Sequence, residues 1–142
     1  MICLTPFKEL KCGDKSIHDF VQEGFSVPAR VISYLRFSEP CYASPGVYYH
    51  PFKPEKRLPG PYGCTDGKYF WDRDTWKYVI KYNLTLPQEF IDHVMGDESA
   101  TYIKKRLEDN KDISDRIKRW DDTQDYKLLK LDITAIEELE NF

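Results

Sequence analysis

The stretch "GPYGCTDGKYFWDRDTWKYVIKYN", residues 60–83, decides how this chain folds, because its period changes halfway along. "TDG" is turn chemistry: Asp66 can bond its own local backbone and Gly67 supplies positive φ. "GKYFW" is short and aromatic, as strands are. After Trp71 the spacing turns helical. Asp72 is placed to cap, Asp74 falls in the first turn where acids are favoured, and Trp76, Val79 and Ile80 form an i, i+3, i+4 stripe. Asn83 can close that helix in the left-handed region. Most of the crowding of aromatics and carboxylates is therefore explained by construction.

Outward from this unit, "TLPQEFIDHVMG" repeats the same grammar. Pro87 stands at a first-turn position, Glu89 lies near the positive end of the dipole, Phe90, Ile91 and Val94 point inward, and Gly96 terminates. Upstream, residues 38–67 interleave six prolines with four glycines, which excludes long helices. Here "GVYYHPF" reads as a second aromatic strand. It is expected to form a small antiparallel hairpin with "GKYFW", joined by a long proline-stiffened connection that is itself a candidate contact surface. Further upstream, Val27, Val31, Tyr34 and Leu35 predict a helix over residues 28–36. Ile17, Phe20 and Val21 predict a shorter one after Ser16, stopped by Gly24.

From residue 97 the composition shifts to 13 acidic and 9 basic residues, against 11 and 12 before it. Ile103, Leu107, Ile113, Ile117 and Trp120 fall at helical intervals. "TAIEELENF" favours a short acidic helix, and "YKLLKLDI" is readable as edge strand or helical turn. The expected fold is α+β and mostly helical: several short helices around a small antiparallel hairpin or sheet. It forms one domain over 1–142, with a core over 1–96 and a helical extension over 97–142.

At 142 residues the chain can bury one core without staples, and 41% hydrophobic with 32% charged residues marks a globular protein rather than a disordered one. The net charge of −3 disfavours general nucleic-acid binding, which needs a basic balance. The local "KKR" at 104–106 and "RIKR" at 116–119 lie among Glu108, Asp109, Asp112 and Asp115, and read as an ion-paired helix face. No apolar run is long enough to span a membrane, and "MICLTPFKEL" lacks the basic start and apolar run of a secretion signal, so a cytoplasmic location is expected. Cys3, Cys12, Cys41 and Cys64 contain no C-x-x-C pair and read as buried or half-buried thiols.

No catalytic motif surrounds His18, His50 or His93, and no metal or cofactor is implied. His93 sits near the C-terminal end of its helix, where a cation is favoured, and reads as structural. Asp66, Asp72 and Asp74 could converge on a cation or act as acid and base, yet each has a local role as turn former, cap or dipole partner. One enzymatic alternative remains, a small hydrolase or nuclease using Cys64, His50 and Asp66. It requires those side chains to meet in a concave pocket.

The segments "VPARVISYL", "SPGVYYHPF" and "TDGKYFWDRDTWKYVIKYNLTLPQEFIDHV" together resemble small bacterial cytosolic proteins of the toxin-immunity type, over about residues 26–95. The resemblance implies a non-enzymatic protein that binds and neutralises a cognate toxin domain of a contact-dependent or secreted inhibition system, by covering its active site or an adjacent exosite. The candidate contact residues are Tyr48, Tyr49, Tyr62, Asp66, Tyr69 and Asp74 around the hairpin, with Asp121, Asp122 and Asp125 in the extension. Aromatics would anchor and acids would meet a basic partner surface. A third reading is a homo-oligomeric adaptor built through the C-terminal helices.

Overall fold

Helix α1 (Ala29–Phe37) is buried on almost every side, and three later helices pack against it. The computed structural model describes residues 1–43, 46–60, 62–109 and 133–142. Val31, Ile32, Leu35 and Phe37 of α1 join the core, and so do its polar members. Buried Arg30 supplies donors where a helix end needs them: its Nη1 bonds the carbonyls of Val94 at 3.1 Å and Gly96 at 3.4 Å.

The expected α+β architecture is present, with more strands than the sequence suggested. A mixed sheet has the order β1–β6–β5–β2, comprising β1 (Ile2–Cys3), β2 (Glu39–Ala43), β5 (Tyr62–Thr65) and β6 (Tyr69–Asp72). β1 runs parallel to β6, whereas β6–β5 and β5–β2 are antiparallel. A separate two-stranded sheet pairs β3 (Val47–His50) with β4 (Lys53–Pro59). The two aromatic strands read from sequence therefore do not pair with each other. "GVYYHPF" pairs with the proline-bearing "KPEKRLP", and "GKYFW" pairs with "YGCT". Proline misled the reading because it is tolerated on edge strands, and both β2, with Pro40, and β4, with Pro54 and Pro59, are edges.

After β6 the chain enters α2 (Thr75–Tyr82) later than the residues suggested: Asp74, expected in the first turn, is the N-cap, and its side chain makes no capping bond. Asp72 Oδ1 accepts the Asp74 N–H at 2.9 Å, Thr75 Oγ1 bonds back to the Asp72 carbonyl, and Asn83 ends the helix at φ 56°. Trp76, Tyr78 and Val79 are buried, while Ile80 only packs against the core edge. Helix α3 (Gln88–Val94) buries Phe90, Ile91 and Val94, and α4 (Asp97–Asp109) buries Ser99 and Ile103. The expectations at Ile113, Ile117, Trp120 and "YKLLKLD" lie outside the described residues. The acidic helix is present as α5 (Ile133–Glu140), and Phe142 beyond it packs 4.4 Å from the His50 ring and 5.0 Å from Tyr78. Lys81 Nζ caps its C-terminal end through the Leu139 carbonyl at 2.7 Å.

At the centre, Trp71 is fully buried between Tyr34 and Phe90, with its indole N–H on the Leu35 carbonyl at 3.0 Å. No helix among the described residues is long and apolar enough to cross a membrane.

Before α1 the chain turns back on itself through short 3-10 helices at Lys8–Leu10 and Ile17–Phe20, the second with the expected Ser16 cap. Lys8 N–H bonds the Lys15 carbonyl at 2.8 Å, and Lys15 N–H bonds that of Pro6 at 3.2 Å. This reversal presses Gly13 onto the Pro6 backbone so closely that a Cβ would overlap it. Because backbone atoms rather than a mobile side chain occupy the space, Gly13→Ala is expected to cost about 2 kcal/mol. Thermal unfolding would show a Tm lower by roughly 4–8 °C; an unchanged Tm would mean the turn yields freely.

Candidate partner-binding surface

Alternation along β3 determines which tyrosine faces a partner. Tyr48 and His50 point inward and are buried, whereas Val47 and Tyr49 point outward and are 42% and 58% exposed. Tyr49 pairs across the hairpin with exposed Arg57, which stands on the same face. The Lys8–Leu10 turn lies beside β3. Between them runs an open groove of about 370 Å³, bordered by Lys8, Lys11, Val47, Tyr49, Pro51 and Pro54. The third charged residue there, Glu9, accepts the Ile17 N–H at 2.7 Å and keeps its charge, so the border carries two lysines and one carboxylate. Prolines at the border leave less backbone freedom to lose when something binds.

The other residues expected at a contact are placed differently. Tyr62 is half-buried beneath Arg73, whose guanidinium stacks 5.1 Å from the ring centre. It borders a second cavity of about 350 Å³ that Arg36, Trp76 and Lys77 also line. Tyr69 is buried against Phe90 and His93. Asp74 is buried with its carboxylate on Lys77 Nζ at 2.9 Å. Tyr48, Tyr69 and Asp74 are therefore buried rather than exposed anchors, and Tyr62 is half-buried. A buried ring can reach a partner only if the surrounding packing opens. Asp121, Asp122 and Asp125 lie outside the described residues.

Asp66 does the turn work expected of it and a second task that the sequence hides. Oδ1 accepts the N–H groups of Lys68 at 2.9 Å and Tyr69 at 2.7 Å, which forms the "TDG" turn. Oδ2 accepts the Tyr34 hydroxyl at 2.5 Å and meets His93 Nε2 at 2.7 Å. A carboxylate only accepts, so His93 carries its proton on Nε2. The Asp66 side chain is 2% exposed. Burial acts to raise its pKa, but bonds from Tyr34, the Tyr69 N–H, His93 and the Lys68 N–H outweigh it and hold it below the ordinary value. Burial first, and then the bond to Asp66, keeps Tyr34 protonated far above the usual phenol range.

Cys64, His50 and Asp66 do not form a catalytic group. No hydrogen bond joins any two of them: Asp66 is taken by Tyr34 and His93, and His50 Nδ1 accepts the Phe52 N–H at 3.0 Å within an aromatic cluster. Burial, then Lys53 and Lys56, lower the His50 pKa to about 4, so the ring stays neutral. Burial, followed by Cys41, pushes the Cys64 thiol up to about 12, the opposite of an activated nucleophile. Among the described residues no three His, Cys, Asp or Glu side chains are grouped to hold a metal ion.

Sequence reading missed Val47, Lys8 and Lys11. The only signal for Val47 was its place two residues before Tyr49, on the same strand face. No family model matches this chain, and no curated protein or solved structure matches it closely enough to carry its properties across.

Proposed function

We propose that this chain is a protein-binding module that engages its partner through the β3 face of the β3–β4 hairpin. In this reading the partner is the cognate toxin domain that the resemblance over residues 26–95 implies, and binding neutralises it by covering its active site or an adjacent exosite. One observation carries the placement. Tyr49 is the sole aromatic among the exposed large hydrophobic residues described, and it shares its strand face with Val47 beside an open groove. An exposed aromatic on a rigid hairpin is the usual form of a binding anchor, with large contact area and few torsions to freeze. The acidic contribution to a basic partner would come from the extension, where Asp121, Asp122 and Asp125 stand in sequence, rather than from the buried carboxylates of Asp66 and Asp74.

The test is co-expression with the product of the adjacent upstream gene, followed by purification and calorimetry. Rescue of growth with a stable complex is the expected result. Tyr49→Ala should then weaken the complex about 30-fold or more, an anchor's usual share, with Tm unchanged because the ring is exposed. An unaltered affinity in a Tyr49→Ala, Val47→Ser double variant would refute this placement. A doubled solution mass without any partner, abolished by the same double variant, would instead assign the face to self-association.

A further inference from the structure

Cys3 ends the parallel edge strand β1, and Cys12 follows the Lys8–Leu10 turn; nine residues apart, their sulfurs lie 3.3 Å from each other. Both are half-buried, while Cys41 is exposed and Cys64 is buried. A disulfide bond is ~2.05 Å long, so closing this pair requires the sulfurs to approach by only about 1.2 Å. The reversal that creates the pair is fixed by backbone bonds, including Leu4 N–H to the Phe70 carbonyl at 2.8 Å and Cys12 N–H to that of Phe7 at 3.2 Å. The two backbones that carry the sulfurs are thus held beside each other by the fold.

We propose that Cys3 and Cys12 are a dithiol pair that closes to an intramolecular disulfide by exchange with a small-molecule disulfide such as oxidised glutathione. Cys3 is the attacking sulfur. Burial first, and then the bond to Cys3, push the Cys12 thiol up to about 12, while either sulfur can donate in the 3.3 Å contact; in the proposed order Cys3 reacts first, as its thiolate. That thiolate attacks one glutathione sulfur, forming a Cys3–glutathione disulfide and releasing glutathione thiolate, which takes up a proton. Cys12 then loses its proton to solvent and attacks the Cys3 sulfur. The Cys3–Cys12 bond forms, and the second glutathione leaves as thiolate and is protonated. Two protein thiols are oxidised and one glutathione disulfide is reduced to two thiols. The product ties β1 to the segment that carries Lys8 and Lys11. This step does not depend on the partner-binding reading.

The full chain is equilibrated in glutathione buffers of increasing oxidised fraction, quenched by alkylation, and followed by intact mass and a tryptic map. The expected product has lost two hydrogens, and its map joins residues 1–8 to residues 12–15. Excess reduced glutathione should reverse it, and its Tm should exceed that of the reduced chain. Cys12→Ser is expected to stop at the first step, leaving one glutathione on Cys3. Three outcomes would overturn the proposal: linkage through Cys41 or Cys64 instead, separate glutathione adducts on Cys3 and Cys12 without closure, or both thiols still alkylated in the most oxidising buffer.

Discussion

Asp66→Ala is expected to destabilise the fold by about 4 kcal/mol, because the substitution removes a buried acceptor that several donors share. The Tyr34 hydroxyl is the costliest of them. It belongs to a fully buried ring packed against Trp71, Phe90, His93 and Tyr102, and water does not reach it easily. The Tyr69 N–H is next, and the exposed Lys68 N–H can turn to solvent at little cost. Asp66→Asn should lose roughly half as much, since its carbonyl can still accept the two turn N–H groups. Its amide would face the Tyr34 hydroxyl and His93 Nε2 donor to donor, and both would have to reverse roles. The two substitutions also separate charge from geometry. The folded-state pKa of Asp66 lies below its ordinary 3.8, so its contribution is complete above that value and is lost as pH falls below it. Urea unfolding of wild type and Asp66→Asn should give a stability gap that is constant above about pH 5 and narrows toward pH 2. A gap independent of pH would mean that the carboxylate is not the charged acceptor described here.

The same residue shows where sequence stops being informative. The turn half of Asp66 was readable, because Lys68 and Tyr69 are its near neighbours and "TDG" has one common use. The other half was hidden, because Tyr34 is 32 residues away and His93 27 away, and no local spacing records that meeting. His93 reads as structural from its helix position alone, and that position says nothing of the buried carboxylate that it meets.

The strand "VYYH" illustrates a second limit. Period-2 patterning identifies a buried face only when the other face is polar. With four apolar or aromatic residues in a row, nothing distinguishes Tyr48 from Tyr49, and both read as surface anchors. The tyrosine surplus had a similar origin. Tyr34, Tyr48, Tyr69 and Tyr78 are buried, and a tyrosine can be core wherever packing or a partner such as Asp66 accommodates its hydroxyl. Helices were the most legible elements. Pro28, Pro87, Gly24 and Asn83 mark boundaries by backbone restriction alone, and packing did not need to be known. Strand pairing was the least legible, since β1 contributes only two residues, and β2 and β4 carry prolines that argue locally against strand.

Asp72 should make the stability of this chain fall as pH rises from about 4 to about 7. Its carboxyl is buried, and burial first, then Asp74, raise its pKa to about 7 from an ordinary 3.8; the Asp74 N–H, Arg73 and Lys77 only partly oppose this. In the unfolded chain the same group ionises near its ordinary value. Folding therefore retains a proton that the unfolded chain releases, and the resulting stability is complete below about pH 4 and gone above about pH 7. The interval corresponds to about 4 kcal/mol at ~1.4 kcal/mol per pH unit. Asn at this position keeps the Oδ1 acceptor for the Asp74 N–H, so the turn into α2 is preserved while the titration disappears. Asp72→Asn should therefore match wild type within about 1 kcal/mol at pH 4 and exceed it by up to about 4 kcal/mol at pH 8. Parallel stability profiles for the two proteins between pH 4 and pH 8 would overturn this assignment. A gap that widens steadily with pH would identify Asp72 as a buried acid whose ionisation the fold does not accommodate.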